Sequence, residues 1–262
     1  MKKLLLALSC ALAFATVSSA DFGRVEMGAG MWNQTPSGKL SYSETANFGI
    51  LGTASGTGTY TSEEKMKSQG YIWMLIKHPI PVVPNIRLEY TGIEDSGVVS
   101  GSFADFNTSG TTGSVSITQY DIIPYYNLLD NTAWTTIDIG LDFKIMETTY
   151  VADAVTDNVT GLTYNYSDTV AVVIPLVYAR ARVEIPMTDI GLEVDAKYIT
   201  YNDSTIYDVR AKIDYTLDFI PVIQPGLEIG YRAQKFDTVS DDKKTEFKMD
   251  FVGLYAGLML RF

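Results

Sequence analysis

Cysteine, long apolar runs and positive charge are all scarce in this sequence. Cys10 is the only cysteine among 262 residues, so an internal disulfide framework is excluded. Beyond residue 20 there is no run of about 18 apolar residues, which argues against membrane-spanning helices there. The 20 basic residues are outnumbered by 31 acidic residues. This balance predicts no nucleic-acid partner, because phosphates are bound by clustered cations.

The start of the chain has the organisation of a secretory signal peptide. Lys2 and Lys3 precede an apolar run over residues 4–17, and Ser-Ser-Ala at residues 18–20 supplies the small residues of a cleavage site. The run is shorter than the roughly 20 apolar residues of a membrane-spanning helix. We predict that this segment is cleaved and that residues 21–262 form one domain, with 18 basic against 31 acidic residues and a net charge of −13.

Two-residue alternation is the strongest pattern in the remaining chain. Over residues 207–219 every odd-numbered residue is apolar and every even-numbered residue is polar. A β-strand directs successive side chains to opposite faces, so this segment is predicted to have one apolar and one charged face. The facing of residues 71–78 and 115–126 is ambiguous, so eight and twelve strands stay open as alternatives. The pattern as a whole predicts ten strands, at residues 22–33, 66–78, 86–93, 115–126, 134–146, 169–184, 190–201, 204–218, 225–236 and 246–262.

Strand length and connection length favour a closed barrel. Several predicted strands run about 11–13 residues, enough to cross a bilayer at a tilt, whereas sandwich strands usually have about 5–6. Segments rich in Gly, Ser, Thr and Asp at residues 49–64 and 151–168 alternate with compact turns, and "GTASGTGT" within the first is predicted to be a flexible loop. Tyr207 and Phe219 bracket one apolar face as two aromatic girdles would.

The predicted fold class is therefore all-β: a closed antiparallel transmembrane β-barrel of about ten strands with long extracellular loops and short periplasmic turns. An even strand number places both ends of the barrel domain on the periplasmic side. A secreted soluble β-sandwich that binds a ligand is the alternative.

The C-terminal strand carries a resemblance to outer-membrane proteins. The chain ends in "FVGLYAGLMLRF", and Leu254, Leu258, Leu260 and Phe262 resemble the assembly signal that barrels present to the barrel-assembly machinery. The stretches "KHPIPVVPNIRLEY", "QYDIIPYYNLLDN" and "IDIGLDFK" are similar to a family of small, poorly characterised proteobacterial outer-membrane β-barrel proteins. The resemblance implies export through the periplasm with periplasmic chaperones. It also implies a Gram-negative outer membrane with contacts to lipid and lipopolysaccharide, and it supplies no catalytic residues.

The polar faces of the predicted strands would fill a narrow interior. Barrels of eight strands are just filled by side chains, and ten strands is close to that limit. We predict an ion-pair network that closes the lumen, with a narrow channel or transporter for small or hydrophobic solutes as the alternative. The predicted network comprises Arg24, Glu26, Arg87, Glu89, Asp138, Asp142, Lys144, Arg180, Arg182, Glu184, Glu193, Asp195, Lys197, Asp208, Arg210, Lys212, Asp214, Glu228, Arg232 and Arg261.

Catalysis is not predicted. His78, the only histidine, precedes Pro79 at a predicted periplasmic turn, so a histidine-based triad or dyad on the outer side has no base. We expect His78 to be an interfacial or turn-capping residue rather than a base. The sequence thus predicts a monomeric outer-membrane protein with a structural or surface-interaction role, without enzyme activity, cofactor or metal.

Overall fold

The computed structural model describes residues 23–47, 53–80, 82–102, 106–157, 160–217, 223–240 and 244–262. In that part of the chain there is no helix long and apolar enough to span a membrane. The predicted signal peptide, residues 1–20, and Phe219, the predicted girdle residue, lie outside the described residues. The strands are β1 (Arg24–Asn47), β2 (Thr53–Ser62), β3 (Lys67–Lys77), β4 (Asn85–Ser102), β5 (Phe106–Thr132), β6 (Thr135–Asp157), β7 (Thr163–Glu184), β8 (Ile190–Tyr201), β9 (Ser204–Thr216), β10 (Gln224–Val239) and β11 (Thr245–Arg261).

These strands form one closed antiparallel ring. The ring closes between β1 and β11, where Glu26 lies opposite Arg261 and Tyr42 lies opposite Thr245. β2 and β3 share one position in the wall, because both pair with β1 and with β4. The eleven strands therefore occupy ten positions. The predicted all-β fold, a closed antiparallel barrel of about ten strands, is confirmed.

The predicted long loops are mostly strand, which corrects the sequence analysis. β2 covers most of the segment at residues 49–64 that was expected to be a flexible loop. β6 and β7 cover most of residues 151–168, and their pairing continues to Thr156 opposite Thr163. The reason is that the ladder already formed nearer the middle of the barrel aligns these residues for further pairing. Their Thr, Tyr and Val side chains also suit a pleated sheet, so the Gly and Ser content is overridden.

The two ends of the barrel differ in height. At one end, called the short-turn end, the chain turns between β3 and β4, β5 and β6, β7 and β8, and β9 and β10. At the opposite, extended end, β8 and β9 are joined by a tight turn at Asn202, which has φ 51°. Pairing between β7 and β8 stops at Val177 opposite Tyr198. The wall is therefore low at β8 and β9 and tall from β4 to β7.

Apolar side chains cover the outside of the wall. Leu141, Ile213 and Leu258 are exposed by 49%, 52% and 67%, and the residues on either side of each point inward or are covered. Soluble monomeric proteins rarely expose a continuous apolar surface of this kind. The orientation matches the prediction that the apolar faces point outward and the charged faces inward.

Candidate functional site: the barrel interior

The interior collects the charged residues that alternation assigned to it. All of the predicted lumen residues are buried except Arg24 and Glu184, whose side chains are each 37% exposed at the short-turn end. These two still bond to each other, and Arg24 also bonds to Glu26. Strand geometry explains this placement. Side chains two residues apart lie on the same face of a strand, and each of these residues is an even number of positions from other inward-facing residues of its strand.

A cluster of arginines and carboxylates lies nearest the short-turn end. Both terminal nitrogens of Arg182 donate to the carboxylate of Asp214, at 2.6 and 2.9 Å. Arg261 on β11 donates to the same carboxylate at 2.8 Å and to Thr216 Oγ1 at 2.7 Å. Such fork-shaped pairs fix both distance and orientation. This cluster therefore links β7, β9 and β11 across the base of the lumen.

Lys197 occupies the centre of a second cluster. Its Nζ donates to Glu89 Oε2 at 2.6 Å and to the carboxylate of Asp121, and it is fully buried. Arg210 donates to Asp195 Oδ1 at 2.8 Å and also to Glu89. Glu89 lies on β4 whereas Lys197 and Arg210 lie on β8 and β9, so these bonds cross the lumen. A buried charge is tolerated only when it is paired in this way.

Asp121 is a network residue that the sequence analysis did not identify. Lys144 Nζ donates to its Oδ1 at 2.7 Å. Its neighbour Gln119 exchanges hydrogen bonds with Gln234 across the lumen, with Gln234 Nε2 donating at 2.8 Å. The signal that was missed is the two-residue alternation along β5. Residues 115–126 have apolar side chains on both faces, and on the inward face only Gln119 and Asp121 are polar.

Aromatic side chains also line the charged interior. The Trp73 ring lies under two cations, with Arg87 Cζ at 5.3 Å and Lys212 Nζ at 4.6 Å from the ring centre. Trp73 Nε1 and Tyr71 OH donate to Glu228 Oε1 at 2.9 and 2.7 Å. Both cations also pair with carboxylates, and the cation–π contacts add to that stabilisation. The rings fill space that paired charges alone would leave to water.

An apolar layer lies above the charged clusters, toward the extended end. On β5 the inward order runs from Asp121 through Gln119 to Ile117, and on β10 it runs from Arg232 through Gln234 to Phe236. The same change from polar to apolar therefore occurs at one height on different strands. We call this group the apolar layer; it comprises Ile93, Val115, Ile117, Met146, Leu176, Ile206, Phe236, Phe247, Met249 and Phe251, all buried.

Very little open space remains between these side chains. A cavity lined by Trp32, Trp73, Arg210 and Tyr255, among others, has a volume of about 10 Å³. One water molecule needs about 10–15 Å³ by the same measure. In the part of the chain that the structure describes, the lumen is therefore filled by side chains of the wall itself.

A separate polar cluster lies between β2 and β4, where Asp95 is the next buried residue of β4 on the inward face after Ile93, and Glu94 between them is exposed. Tyr60 OH donates to Asp95 Oδ2 at 2.8 Å, and Ser62 Oγ donates to Oδ1 at 3.0 Å. Burial is the main cause that raises the pKa of the Asp95 carboxyl, and burial together with this carboxylate raises the pKa of Tyr60. The cluster holds β2 against β4 just before the chain leaves the ladder at residues 63–66.

The predicted assembly signal lies on the last strand. Leu254 and Leu258 face outward, with 58% and 67% exposure, while Leu260 and Phe262 are partly covered. The Phe262 backbone exchanges hydrogen bonds with Val25, so the chain end is part of the ring closure. The role of these residues in assembly stays a prediction.

His78 lies in the turn between β3 and β4, as the sequence indicated. Its Nδ1 accepts a hydrogen bond from the N–H of Ile80 at 3.1 Å, so the ring proton is on Nε2, which lies 3.0 Å from Pro84 O. Asn85 Oδ1 accepts from the His78 N–H. Both ring nitrogens are thus engaged within the turn.

Comparison with known proteins gives only remote structural likenesses. No protein-family model and no curated protein sequence matches the chain. The chain is similar to the outer membrane protease OmpT from Escherichia coli, with 9% identity, a TM-score of 0.47, and coverage of 95% of this chain and 99% of that one. It is also similar to the translocator domain of the autotransporter NalP from Neisseria meningitidis, with 11% identity, a TM-score of 0.38, and coverage of 100% and 96%. A Pseudomonas aeruginosa FadL homologue matches with 9% identity, a TM-score of 0.30, and coverage of 92% and 90%.

One prediction is corrected by this comparison. The sequence analysis predicted that the chain has no enzyme activity, and a protease is among the structures that it resembles. That prediction, which was made from the position of the only histidine, is therefore contradicted, and no absence of activity is claimed for this chain. The likenesses are too remote to indicate what the chain does. The matched proteins are outer-membrane β-barrels, as the resemblance noted in the sequence implied, although no sequence family is identified.

Proposed function

We propose that the chain is an integral protein of a Gram-negative outer membrane, with a closed lumen and a structural or surface-interaction role. The observation that carries the proposal is the filling of the interior. Charged clusters occupy its lower part, the apolar layer lies above them, and a cavity among the charged and aromatic side chains has a volume of only about 10 Å³. A solute would have to displace paired buried charges, at a cost of several kcal/mol for each one separated.

The outer surface supports the membrane location. The exposed apolar side chains form a belt, and the strands that carry it close into a ring through the pairing of β1 with β11, as a bilayer interior requires. In this proposal the protein acts as a monomer surrounded by lipid and lipopolysaccharide. Export through the periplasm with chaperones and insertion by the barrel-assembly machinery complete its route. The C-terminal Phe262 and the likeness of residues 77–90 and 119–144 to small outer-membrane barrel proteins favour this route.

Planar-bilayer recording of the folded chain tests the closed lumen. Heat-modifiable migration on SDS gels first establishes that the barrel is folded, and a general porin in the same bilayers serves as the positive control. We expect no discrete conductance steps from the wild-type chain. Discrete steps that change size in Arg210→Glu or Asp214→Lys would establish a pathway through the charged clusters and overturn the closed-lumen proposal. A chain that stays folded and monomeric without detergent would overturn the membrane location.

A further inference from the structure

The upper half of β7 is a strand with one open edge. β7 pairs with β6 along almost its whole length, up to Thr163, but its pairing with β8 begins only at Val177. Among the residues that the structure describes, no strand pairs with residues 165–176 on the other side. The low turn between β8 and β9 is the cause. At about 3.3 Å per residue, the open edge is some 40 Å long.

Backbone parity identifies which groups face the open edge. The N–H of Glu184 donates to Trp134 on the β6 side, whereas the N–H of Ile185 donates to Ile190 on the β8 side. Successive residues of a strand direct their backbone groups to opposite sides. Since β7 has no extra residue between these points and the open edge, its odd-numbered residues present N–H and C=O groups there. These residues are Asn165, Ser167, Thr169, Ala171 and Val173.

Two details agree with that assignment. The Thr169 N–H donates to the carboxylate of the preceding residue, Asp168, at 2.8 Å rather than to a neighbouring strand. Pro175 has no N–H, and its odd-numbered position faces away from β6. The ladder between β6 and β7 therefore loses no hydrogen bond at Pro175. Natural edge strands are usually blocked by lysine, by a bulge or by several prolines. Here the edge above Pro175 has no such residue.

The side chains along this edge specify the kind of partner. Tyr166, Val170 and Val172 share one face of β7 and are exposed by 44%, 46% and 38%. From Lys144 to Arg180 the sequence has no basic residue between the two, but it has the acidic residues Glu147, Asp153, Asp157 and Asp168. Asp168 lies in this apolar row, between Tyr166 and Val170, and the other three acidic residues lie on β6; we call these four residues the acidic wall. The row and the acidic wall together are complementary to a strand that carries both apolar and basic residues.

We propose that the open edge of β7 binds an extended, basic peptide segment by β-strand addition. The inference rests on the proposed function, because the edge is available only if the extended end of the barrel lies outside the cell. The backbone of the bound segment completes the ladder, and its basic side chains meet the acidic wall. A second copy of this chain is a poor occupant, because residues 165–176 of its own β7 bring a further acidic residue, Asp168, and no basic one.

A matched set of peptides tests the proposal on the folded barrel in a neutral detergent. The probe is a fluorescent peptide of about twelve alternating lysine and valine residues with blocked termini, followed by anisotropy. The first control has the same sequence with alternate backbone nitrogens methylated, which removes one ladder edge and keeps the charge. The second control has aspartate in place of lysine. We expect both controls to bind at least tenfold more weakly than the probe.

Variants of the chain locate the site. Ala171→Pro with Val173→Pro removes two edge donors, changes no charge and leaves the ladder to β6 intact, so we expect at least tenfold weaker binding of the lysine–valine probe. Ala171→Ser with Val173→Thr keeps both N–H groups and is expected to bind as wild type does. Equal binding by the proline variant, or by the methylated peptide, would show attraction by charge alone and overturn the proposal. Dimers crosslinked through Ser167→Cys would assign the edge to a second copy instead.

The outcome is separate from that of the proposed function. The binding assay uses protein whose folding is established by heat-modifiable migration, and the conductance assay uses no peptide. Absent peptide binding with silent bilayers would refute only the β7 site. Conducting channels with peptide binding would refute only the closed lumen.

Discussion

Replacing Lys197 by methionine tests the energetic role of the charged interior. The Lys197 Nζ donates to Glu89 and Asp121, and its distances to Asp208 Oδ2 and Asp142 Oδ2 are 3.8 and 4.0 Å. Methionine keeps most of the side-chain volume, so the change mainly removes the charge. The carboxylates are then left buried close together with one cation fewer. Removing one partner of a buried pair typically costs about 3–5 kcal/mol, a large part of a total stability of about 5–15 kcal/mol.

The measurement is equilibrium unfolding in urea, with the barrel in detergent micelles and tryptophan fluorescence as the signal. The shift in midpoint multiplied by the slope gives the change in free energy of unfolding. Lys248→Met is the matched control, because Lys248 is 41% exposed and bonds to an equally exposed Glu246 at 3.1 Å. An exposed pair of this kind contributes about 1 kcal/mol or less. We also expect Asp121→Asn to recover part of the loss when it is combined with Lys197→Met.

Equal losses from Lys197→Met and Lys248→Met would refute the reasoning. Such a result would mean that water reaches the lumen and solvates the stranded carboxylates. It would also weaken the closed-lumen proposal, since a hydrated interior can pass small ions. A large loss with no recovery in the double variant would instead indicate that Lys197 acts through packing.

Three further outcomes are expected. Gly253→Val should lower the free energy of unfolding by about 1–3 kcal/mol or prevent folding. A Cβ at residue 253 would lie 1.8 Å from Asn33 O on β1 and overpack the seam between β1 and β11. Heat-modifiable migration and urea unfolding measure the effect. Spin labels on single cysteines should be accessible to oxygen from the lipid phase at Ile213, which faces outward, and protected at Lys212, which is buried. His78→Ala should cost about 1 kcal/mol in urea unfolding through the lost turn contacts and leave conductance silent.

Each of these outcomes has a result that contradicts it. Ala256→Val, on the exposed face of β11, is the control for the seam, and equal effects of the two valines would remove the steric argument. Labels that report water at Ile213 and lipid at Lys212 would invert the barrel. A loss well above 1 kcal/mol in His78→Ala would give that turn a larger role in holding β3 and β4 together.

Alternation predicted the faces of most strands, because the period of a β-strand is fixed by the backbone. It assigned Arg182 and Asp214 to the same interior from segments with no sequence similarity. It could not assign residues 115–126, where both faces are largely apolar and only packing in the closed ring separates Ile117 from Ile122. The aromatic contribution was also missed, since the facing of residues 71–78 was ambiguous and Trp73 was therefore not assigned to the interior.

Strand lengths were underestimated for a related reason. The composition of residues 53–62, with two glycines and six Ser or Thr residues, indicated a loop. The partners on β1 and β4 lie far along the chain, and only the formed ring brings them into register. Local composition carries no information about a partner of that kind, so the sequence analysis placed the strand ends too early at the extended end.

The bonds that cross the lumen also affect how the protein would respond to force. Glu89 on β4 is tied to Lys197 on β8 and Arg210 on β9, and Glu228 on β10 is tied to Trp73 on β3. In an unbraced barrel, pulling on one terminus extracts hairpins one after another. Here the β8–β9 hairpin cannot leave until its ties to the far wall break as well, so a force–extension trace should show a few large ruptures rather than a regular series.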